Sequence, residues 1–304
     1  MTIRHYPLVT ILTDTKNRAG LISRCIESIQ RQTYQNYEHI IADGGSDNTE
    51  DVVKSYNDPK IKYVRVPVGG PVAQTRASFA MSKGEYITFL DDDDEYLPEK
   101  LEKQLELMLS LPNEYGFIYG SMSYYDNATK EHLYDHLATV RGGVELLQQA
   151  VAQPIICGTP TLMFRREAFE SIGGTWISGI GNERSDWALA CAALKKGWKV
   201  EALKESYLRI YVNHQSVRMS DSGFYKDSAE RYKKFHQYFL DEYADVIKEH
   251  PSSGSYHYQN LLYCTMMLHE YKEAINWWKL LLRSNRDFKS IIRLPYCWLK
   301  YGLR

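Results

Sequence analysis

Tyr86-Ile87-Thr88-Phe89-Leu90-Asp91-Asp92-Asp93-Asp94-Glu95-Tyr96-Leu97-Pro98 is the stretch on which the reading of this chain turns. An apolar, β-rich run ends directly on five consecutive acidic side chains. Two carboxylates about 4 Å apart repel by roughly 1 kcal/mol in water and about 4 near a protein surface. Several at one strand end are costly unless a cation or hydrogen-bond donors neutralise them. A divalent metal does so, and Mg²⁺ is usually held by one or two carboxylates together with ligand phosphates. Asp91 and Asp93 therefore read as a metal–phosphate site. Asp94 and Glu95 suit that site too, or equally the N-terminus of a helix starting near Pro98.

Outward from this point the pattern is one of alternation. Leu8–Thr13, Tyr37–Ala42, Ile61–Val66 and Glu85–Leu90 read as strands. Between them, Leu21, Ile22, Cys25, Ile26 and Ile29 recur at helical spacing, Asp47 with Thr49 and Glu50 opens a second helix, and Val72–Met81 forms a third. Strands alternating with helices imply βαβ crossovers and a mainly parallel sheet. Ligands of such sheets bind beyond the carboxyl ends of the strands, which directs attention to the loops starting near Thr13, Asp43, Val66 and Leu90. From Tyr115 to about Tyr211 strand-like pieces (Phe117–Tyr125, Thr161–Phe164, Lys199–Ala202) and helices near Gly142–Ala150 and Ser185–Lys196 suggest added antiparallel strands. Beyond Ser216 only helical runs remain, at Ser222–His250, Tyr256–Glu270 and Tyr271–Ser284 with a tail from Asp287, and Pro251-Ser252-Ser253-Gly254 breaks them.

Composition narrows the function class. The 304 residues suit one large α/β domain with an appendage, or two ordinary domains. Apolar residues at 44% and charged residues at 25% exclude disorder and collagen-like repeats. A formal charge of -1 shows no basic excess for nucleic acid. No apolar run approaches the roughly 18 residues of a membrane span, and the N-terminus lacks a signal-peptide core, so a cytoplasmic location is expected. Cys25, Cys157, Cys191, Cys264 and Cys297 are odd in number and scattered, fitting neither a disulfide framework nor a zinc site. The 24 tyrosines suit ring-shaped ligands without establishing one. There is no G-x-x-x-x-G-K-[ST], no G-x-G-x-x-G after the first strand, and Glu95 stands where a haloacid-type phosphatase wants Thr or Val.

The remaining arrangement resembles the family 2 glycosyltransferases of the GT-A fold. Val9-Thr10-Ile11-Leu12 with Asn17-Arg18 and Gln32-Thr33-Tyr34 is similar to the family's opening strand and helix. Asp43-Gly44-Gly45-Ser46-Asp47-Asn48-Thr49 is similar to its aspartate-glycine-serine turn. Gly70, Arg76 and Gly84-Glu85-Tyr86 lead to a D-x-D motif at Asp91-Asp92-Asp93, and Gly173-Gly174 with Ser185-Asp186-Trp187 matches the acceptor segment. The match runs over roughly Val9 to His214, about two-thirds of the chain. It implies a GT-A α/β domain at residues 1–215, with a Rossmann-like mainly parallel sheet and a mixed-sheet acceptor half. A helical C-terminal extension follows at residues 216–304.

The same resemblance implies roles. The activity would be metal-dependent, inverting transfer of a sugar from a nucleoside diphosphate sugar to a hydroxyl of a glycan or lipid-linked saccharide, with a UDP-sugar expected first. Asp93 would hold Mn²⁺ or Mg²⁺, and His214 sits where some relatives place a histidine near the metal. Asp91 would meet the donor ribose or metal-bound water, Asp43 the base or ribose, and Arg76 the base or diphosphate; Thr13, Asp14, Thr15 and Asp92 fall on the donor side. Asp43 also suits an Asx turn supporting Gly44-Gly45, and Arg76 a solvent-facing helix position. Inversion needs a base at the acceptor hydroxyl. Asp186 occupies that place, although it also suits a helix N-cap, and Glu183 is an alternative base.

Some residues depart from the family pattern. Asp14-Thr15-Lys16-Asn17-Arg18 replaces the usual Pro-Thr-Tyr-Asn-Arg, so Lys16 stands where an aromatic commonly packs on the base; the usual Asn after Arg76 is Ala77, and the Asp43 motif is one residue short. Two rivals follow: a nucleotidyltransferase, for which this first loop is a poor phosphate loop, and an inactive relative serving as partner or glycan-binding subunit. The tail Ile291–Arg304 mixes aliphatics, aromatics and cations without acids. That suits peripheral attachment at an anionic inner membrane face, or a terminal helix packed on the body or on a second copy in a homodimer.

Overall fold

The computed structural model describes residues 6–156, 158–174, 185–212, 226–285 and 288–301. The chain divides into two compact units. The first takes in residues up to Val144, Ile156–Ile177 and Ala188–Gln215; the second takes in Glu145–Ile155, Ser178–Trp187 and everything from Ser216.

The first unit is built on one mixed sheet of strands β1 (Val9–Thr15), β2 (Tyr37–Asp43), β3 (Ile61–Arg65), β4 (Tyr86–Phe89), β5 (Glu95–Tyr96), β6 (Tyr115–Asp126), β7 (His132–His136), β8 (Leu162–Arg165) and β9 (Lys199–Val212). Its order is β3-β2-β1-β4-β8-β6-β9-β5, with β7 on β6. The first four strands are parallel, with Thr15 opposite Asp43 and Leu12 opposite Phe89. β8 then runs antiparallel between β4 and β6, β6 and β9 run parallel, and β5 lies antiparallel on β9. β1 is β-branched along Val9-Thr10-Ile11 and buried on both faces, as a central parallel strand must be. Its chain leaves toward β2 on one side while β4 adds on the other. The carboxyl ends of β1 and β4 therefore flank the point where strand order reverses, the usual ligand crevice of such sheets.

Helices α1 (Ile22–Gln30), α2 (Thr49–Ser55), α3 (Gly70–Met81), α4 (Lys100–Ser110), α5 (Leu147–Ala152), α6 (Arg166–Ser171) and α7 (Ser185–Lys195) intervene. Of the stripe anticipated from sequence, Ile22, Cys25, Ile26 and Ile29 are at most 1% exposed and join Ile11, Leu101, Leu105 and Met108 in one core cluster, while Leu21 caps the helix and is half-buried.

The second unit holds α5 and the helices α8 (Lys226–Glu242), α9 (Ala244–Glu249), α10 (Ser255–Met267), α11 (Tyr271–Ser284) and α12 (Phe288–Tyr301). The run expected from Ser222 to His250 is two helices parted at Tyr243, and Pro251–Gly254 forms a short 3₁₀ turn. Trp187 sits in an aromatic box in this unit. Its ring centroid is 4.6 Å from Phe239, it stacks on His257 at 5.3 Å, and its indole N–H donates to the Ala150 carbonyl. The four described cysteines, Cys25, Cys191, Cys264 and Cys297, are all buried; Cys157 lies outside the described residues.

Candidate active site

Sequence order alone brings three loops to one edge of the sheet. β1 ends in Thr15-Lys16-Asn17-Arg18, β2 in Asp43-Gly44-Gly45, and β4 in Leu90 followed by the acidic run. Cross-strand bonds fix their spacing. The Leu90 amide donates to the Leu12 carbonyl at 3.1 Å, and the Gly44 amide to the Thr15 carbonyl at 2.9 Å. From α3, the Gln74 amide group donates to the carbonyls of Thr15 and Ala42 at 2.8 and 2.9 Å, clamping the ends of β1 and β2 together.

The acidic run divides its labour. Asp91 is exposed, whereas Asp92, Asp93 and Asp94 are buried. Asp91, Asp93 and Asp94 each offer a carboxylate oxygen, and these lie within 4.8 Å of one another. Hard oxygen donors so grouped fit Mg²⁺ or Mn²⁺, and no sulfur or imidazole competes among the described residues of this group. Arg18 supplies the local cation: one guanidinium nitrogen lies 2.8 Å from Asp92 Oδ1 and 2.9 Å from Asp93 Oδ2. Asp92 also accepts from the Thr15 hydroxyl at 2.6 Å. Burial pushes the Asp92 carboxyl up to about 6, with the Arg18 charge and the Thr15 bond opposing and the Asp93 charge adding. For Arg18 burial opposes the charged form, but Asp92 and Asp93 outweigh it and hold the guanidinium above its ordinary value.

Around that centre lies a second ring of contacts. Arg24 donates to the Asp93 backbone carbonyl at 3.1 Å and to the Asn127 side chain at 2.9 Å, and its guanidinium stacks 4.1 Å over the Tyr211 ring. The Asp94 carboxylate accepts the Tyr211 amide at 3.0 Å, and Glu95 accepts Tyr211 Oη at 2.9 Å and pairs with Arg31 at 2.9 Å. Asp94 and Glu95 thus tie the turn to β9 and α1, and neither serves as a helix N-terminus: α4 begins at Lys100, after a two-residue strand.

Asp43 is fully buried at the β2 terminus. One oxygen accepts the Gly45 amide at 2.6 Å, closing the Asx turn, and the other accepts Tyr63 Oη at 2.7 Å with Arg65 at 3.8 Å. Burial and then the Asp43 bond push the Tyr63 phenol up to about 12. Gly45 is demanded by close approach: a Cβ there would lie 2.4 Å from the Asn17 amide nitrogen and 2.9 Å from Asp43 Oδ1.

The structure gathers Thr15, Asp43, Asp91, Asp92 and Asp93 on this one edge. Asp14 accepts the Thr75 hydroxyl at 2.6 Å. Thr13 is 1% exposed, and its hydroxyl donates to the Leu90 carbonyl at 2.8 Å beside His39, bracing the end of β1 against the start of the acidic run. Arg76 is exposed on α3, and Lys16 is exposed after β1. Asp186 belongs to the second unit, half-buried in the first turn of α7, where it accepts the Trp187 amide at 2.9 Å. His214 and Glu183 lie outside the described residues. Sequence reading assigned no role to Arg18, Arg24 or Gln74. The Asn17-Arg18 match to the family's opening segment and five carboxylates in want of a cation were the signals for Arg18, and nothing local marks the other two.

The comparisons with known proteins agree with this arrangement. The model of the family described as "Glycosyl transferase family 2" matches residues 10–173, more than half of the chain. The putative colanic acid biosynthesis glycosyl transferase WcaA of Escherichia coli K12 is 27% identical over 266 residues, covering 78% of this chain and 88% of its own. Other curated relatives are longer, and the chain spans about a fifth of some of them. Among solved structures, Staphylococcus aureus TarS 1-349 in complex with UDP-GlcNAc superposes with TM-score 0.63 at 14% identity, covering 96% of this chain and 87% of that one. The mannosyltransferase PcManGT of Pyrobaculum calidifontis, in complex with GDP-Man and Mn²⁺, gives 0.59 at 16% identity, covering 96% and 80%. At such identities these two show the fold, a GT-A α/β sheet. The chain belongs to glycosyl transferase family 2.

Proposed function

We propose that this family 2 glycosyltransferase transfers a sugar from a nucleoside diphosphate donor to a hydroxyl of a growing glycan or lipid-linked saccharide, with inversion and with Mn²⁺ or Mg²⁺. The observation that carries the reading is the trio Asp91, Asp93 and Asp94 at the strand-order switch point, with Arg18 against Asp93. Bound there, the metal would supply positive charge to the leaving diphosphate. Asp93 holds it, with His214 as a further ligand. Asp43 and Arg76 receive the nucleoside, and Asp14, Thr15, Asp91 and Asp92 order the donor side of the crevice. Asp186 takes the proton of the acceptor hydroxyl as that oxygen attacks the anomeric carbon, with Glu183 the alternative. Residues 1–215 are the transferase domain on this reading and 216–304 a helical extension. A role in polysaccharide biosynthesis accords with the relative named for colanic acid biosynthesis.

Thermal stabilisation by UDP, GDP, dTDP and CDP, each with and without Mn²⁺, tests the donor site in wild type and Asp93→Ala. A ligand at about 100 times its Kd adds roughly 2.7 kcal/mol. A metal-dependent shift for one nucleotide, lost in Asp93→Ala, is the expected result; no shift with any nucleotide refutes the site. Release of nucleoside diphosphate in turnover marks glycosyl transfer, and release of pyrophosphate would mark nucleotidyl transfer instead.

A further inference from the structure

The helix α12 has two apolar sides, and the second unit uses one of them. Ser290 and Cys297, seven residues apart and hence on one side of the helix, are 4% and 0% exposed. The Trp278 indole N–H donates to the Ser290 carbonyl at 2.9 Å, and Cys297 clusters with Leu262, Met266 and Ala274 against Leu294 and Trp278. The other side is half-exposed. Ile291 and Trp298, again seven apart, are 49% and 52% exposed, and Ile292 and Tyr296, four apart, are 44% and 52% exposed. Pro295 lies exposed between them.

Charge says what would cover that side. Residues 288–304 carry four cations (Lys289, Arg293, Lys300, Arg304) and no carboxylate side chain, a local +4, while the rest of the chain sums to -5. A second copy seated two-fold on this side would bring like charges together with no acid on the helix to answer them. An anionic lipid surface answers them directly. Exposed Ile, Tyr and Trp on a segment whose only charged side chains are Lys and Arg is the composition that lies in a headgroup layer. No described helix is long and apolar enough to cross a bilayer, so the contact would be in the plane of the surface.

We propose that the outer side of α12, formed by Ile291, Ile292, Tyr296 and Trp298, docks on an anionic lipid bilayer. The inference stands apart from the donor site and its test needs no donor. Full-length protein is sedimented with phosphatidylglycerol/phosphatidylcholine vesicles and with phosphatidylcholine vesicles. Wild type should partition onto the anionic vesicles and leave them as salt is raised. Ile291→Ser/Trp298→Ser should lower partitioning about tenfold at unchanged Tm, since both side chains are already half in water. Lys289→Glu, which removes no apolar area, should lower it as well. Brominated phosphatidylglycerol should quench the Trp298 share of the fluorescence, a readout that does not depend on the double variant folding. Equal binding to both vesicle types, no binding, or a Trp298→Ser variant that turns a dimer into a monomer with vesicle binding unchanged would each overturn the proposal.

Discussion

Arg18 lies 2.9 Å from Asp93, so the carboxylate best placed to hold a metal already has a cation of the protein's own against it. A bound divalent ion and the guanidinium share that carboxylate and repel each other. Arg18→Gln should therefore bind free Mn²⁺ at least about tenfold more tightly than wild type, the effect of a single and a double charge about 6 Å apart in water. Titration followed by the Mn²⁺ resonance signal reads this directly. Weaker binding in the variant would mean that Arg18 serves only to orient Asp93.

Asp186→Asn separates chemistry from donor binding. Loss of a general base usually costs about 10²–10⁴ in kcat. The variant should lose that much while keeping metal-dependent stabilisation by nucleotide. A wild-type kcat in Asp186→Asn would transfer the role to Glu183.

Gly45→Ala tests the packing of the nucleoside side. The added methyl would meet the Asn17 amide at 2.4 Å, and that backbone cannot give way without moving the loop that carries Arg18. Overpacking of this kind costs about 1–3 kcal/mol. Chemical denaturation should show the loss, and because the added Cβ would also lie 2.9 Å from Asp43 Oδ1, nucleotide binding should weaken with it.

His39 predicts an acid limb of stability. Its ring is fully buried on β2, and because Thr13 donates to Leu90, the His39 Nε2–H donates to Thr13 at 2.9 Å, leaving Nδ1 bare. Burial lowers its pKa to about 3, against 6.5 when free. A lowered histidine value means the unfolded chain binds the proton first. Its contribution is intact above about pH 6.5 and is lost as pH falls from there toward 3, at up to about 1.4 kcal/mol per pH unit. Urea midpoints of His39→Gln should fall less than those of wild type between about pH 6.5 and 4.5; parallel curves would contradict the assignment.

Much of this molecule was legible in one dimension. Periodicity marked Leu21, Ile22, Cys25, Ile26 and Ile29, of which the last four are the buried stripe of α1, and gave Tyr271–Ser284 with the ends that α11 has. Local composition suffices where an element buries one stripe of its own side chains. The strand β5 was not legible, because Glu95-Tyr96 is too short to show a period and exists only by pairing with Arg209 and Leu208. β9 was read as ending at Ala202. It continues to Val212, and the register shift against β6 after Leu203 leaves Lys204 and Glu205 opposite no residue, which is what broke the alternation.

The same division holds at the site. From sequence alone came the class of sheet, the edge expected to take ligand and the carboxylates on it, since residue type and distance from a strand end need no long-range information. Only the tertiary structure decided what each acid does. It turned Asp94 and Glu95 from a helix start into ties to Tyr211 and Arg31, set Thr13 inside the sheet, and brought Arg18 against Asp92 and Asp93 from 74 and 75 positions away. The reason is physical: a buried carboxylate must find its donors wherever the chain brings them, and such partners leave no local trace.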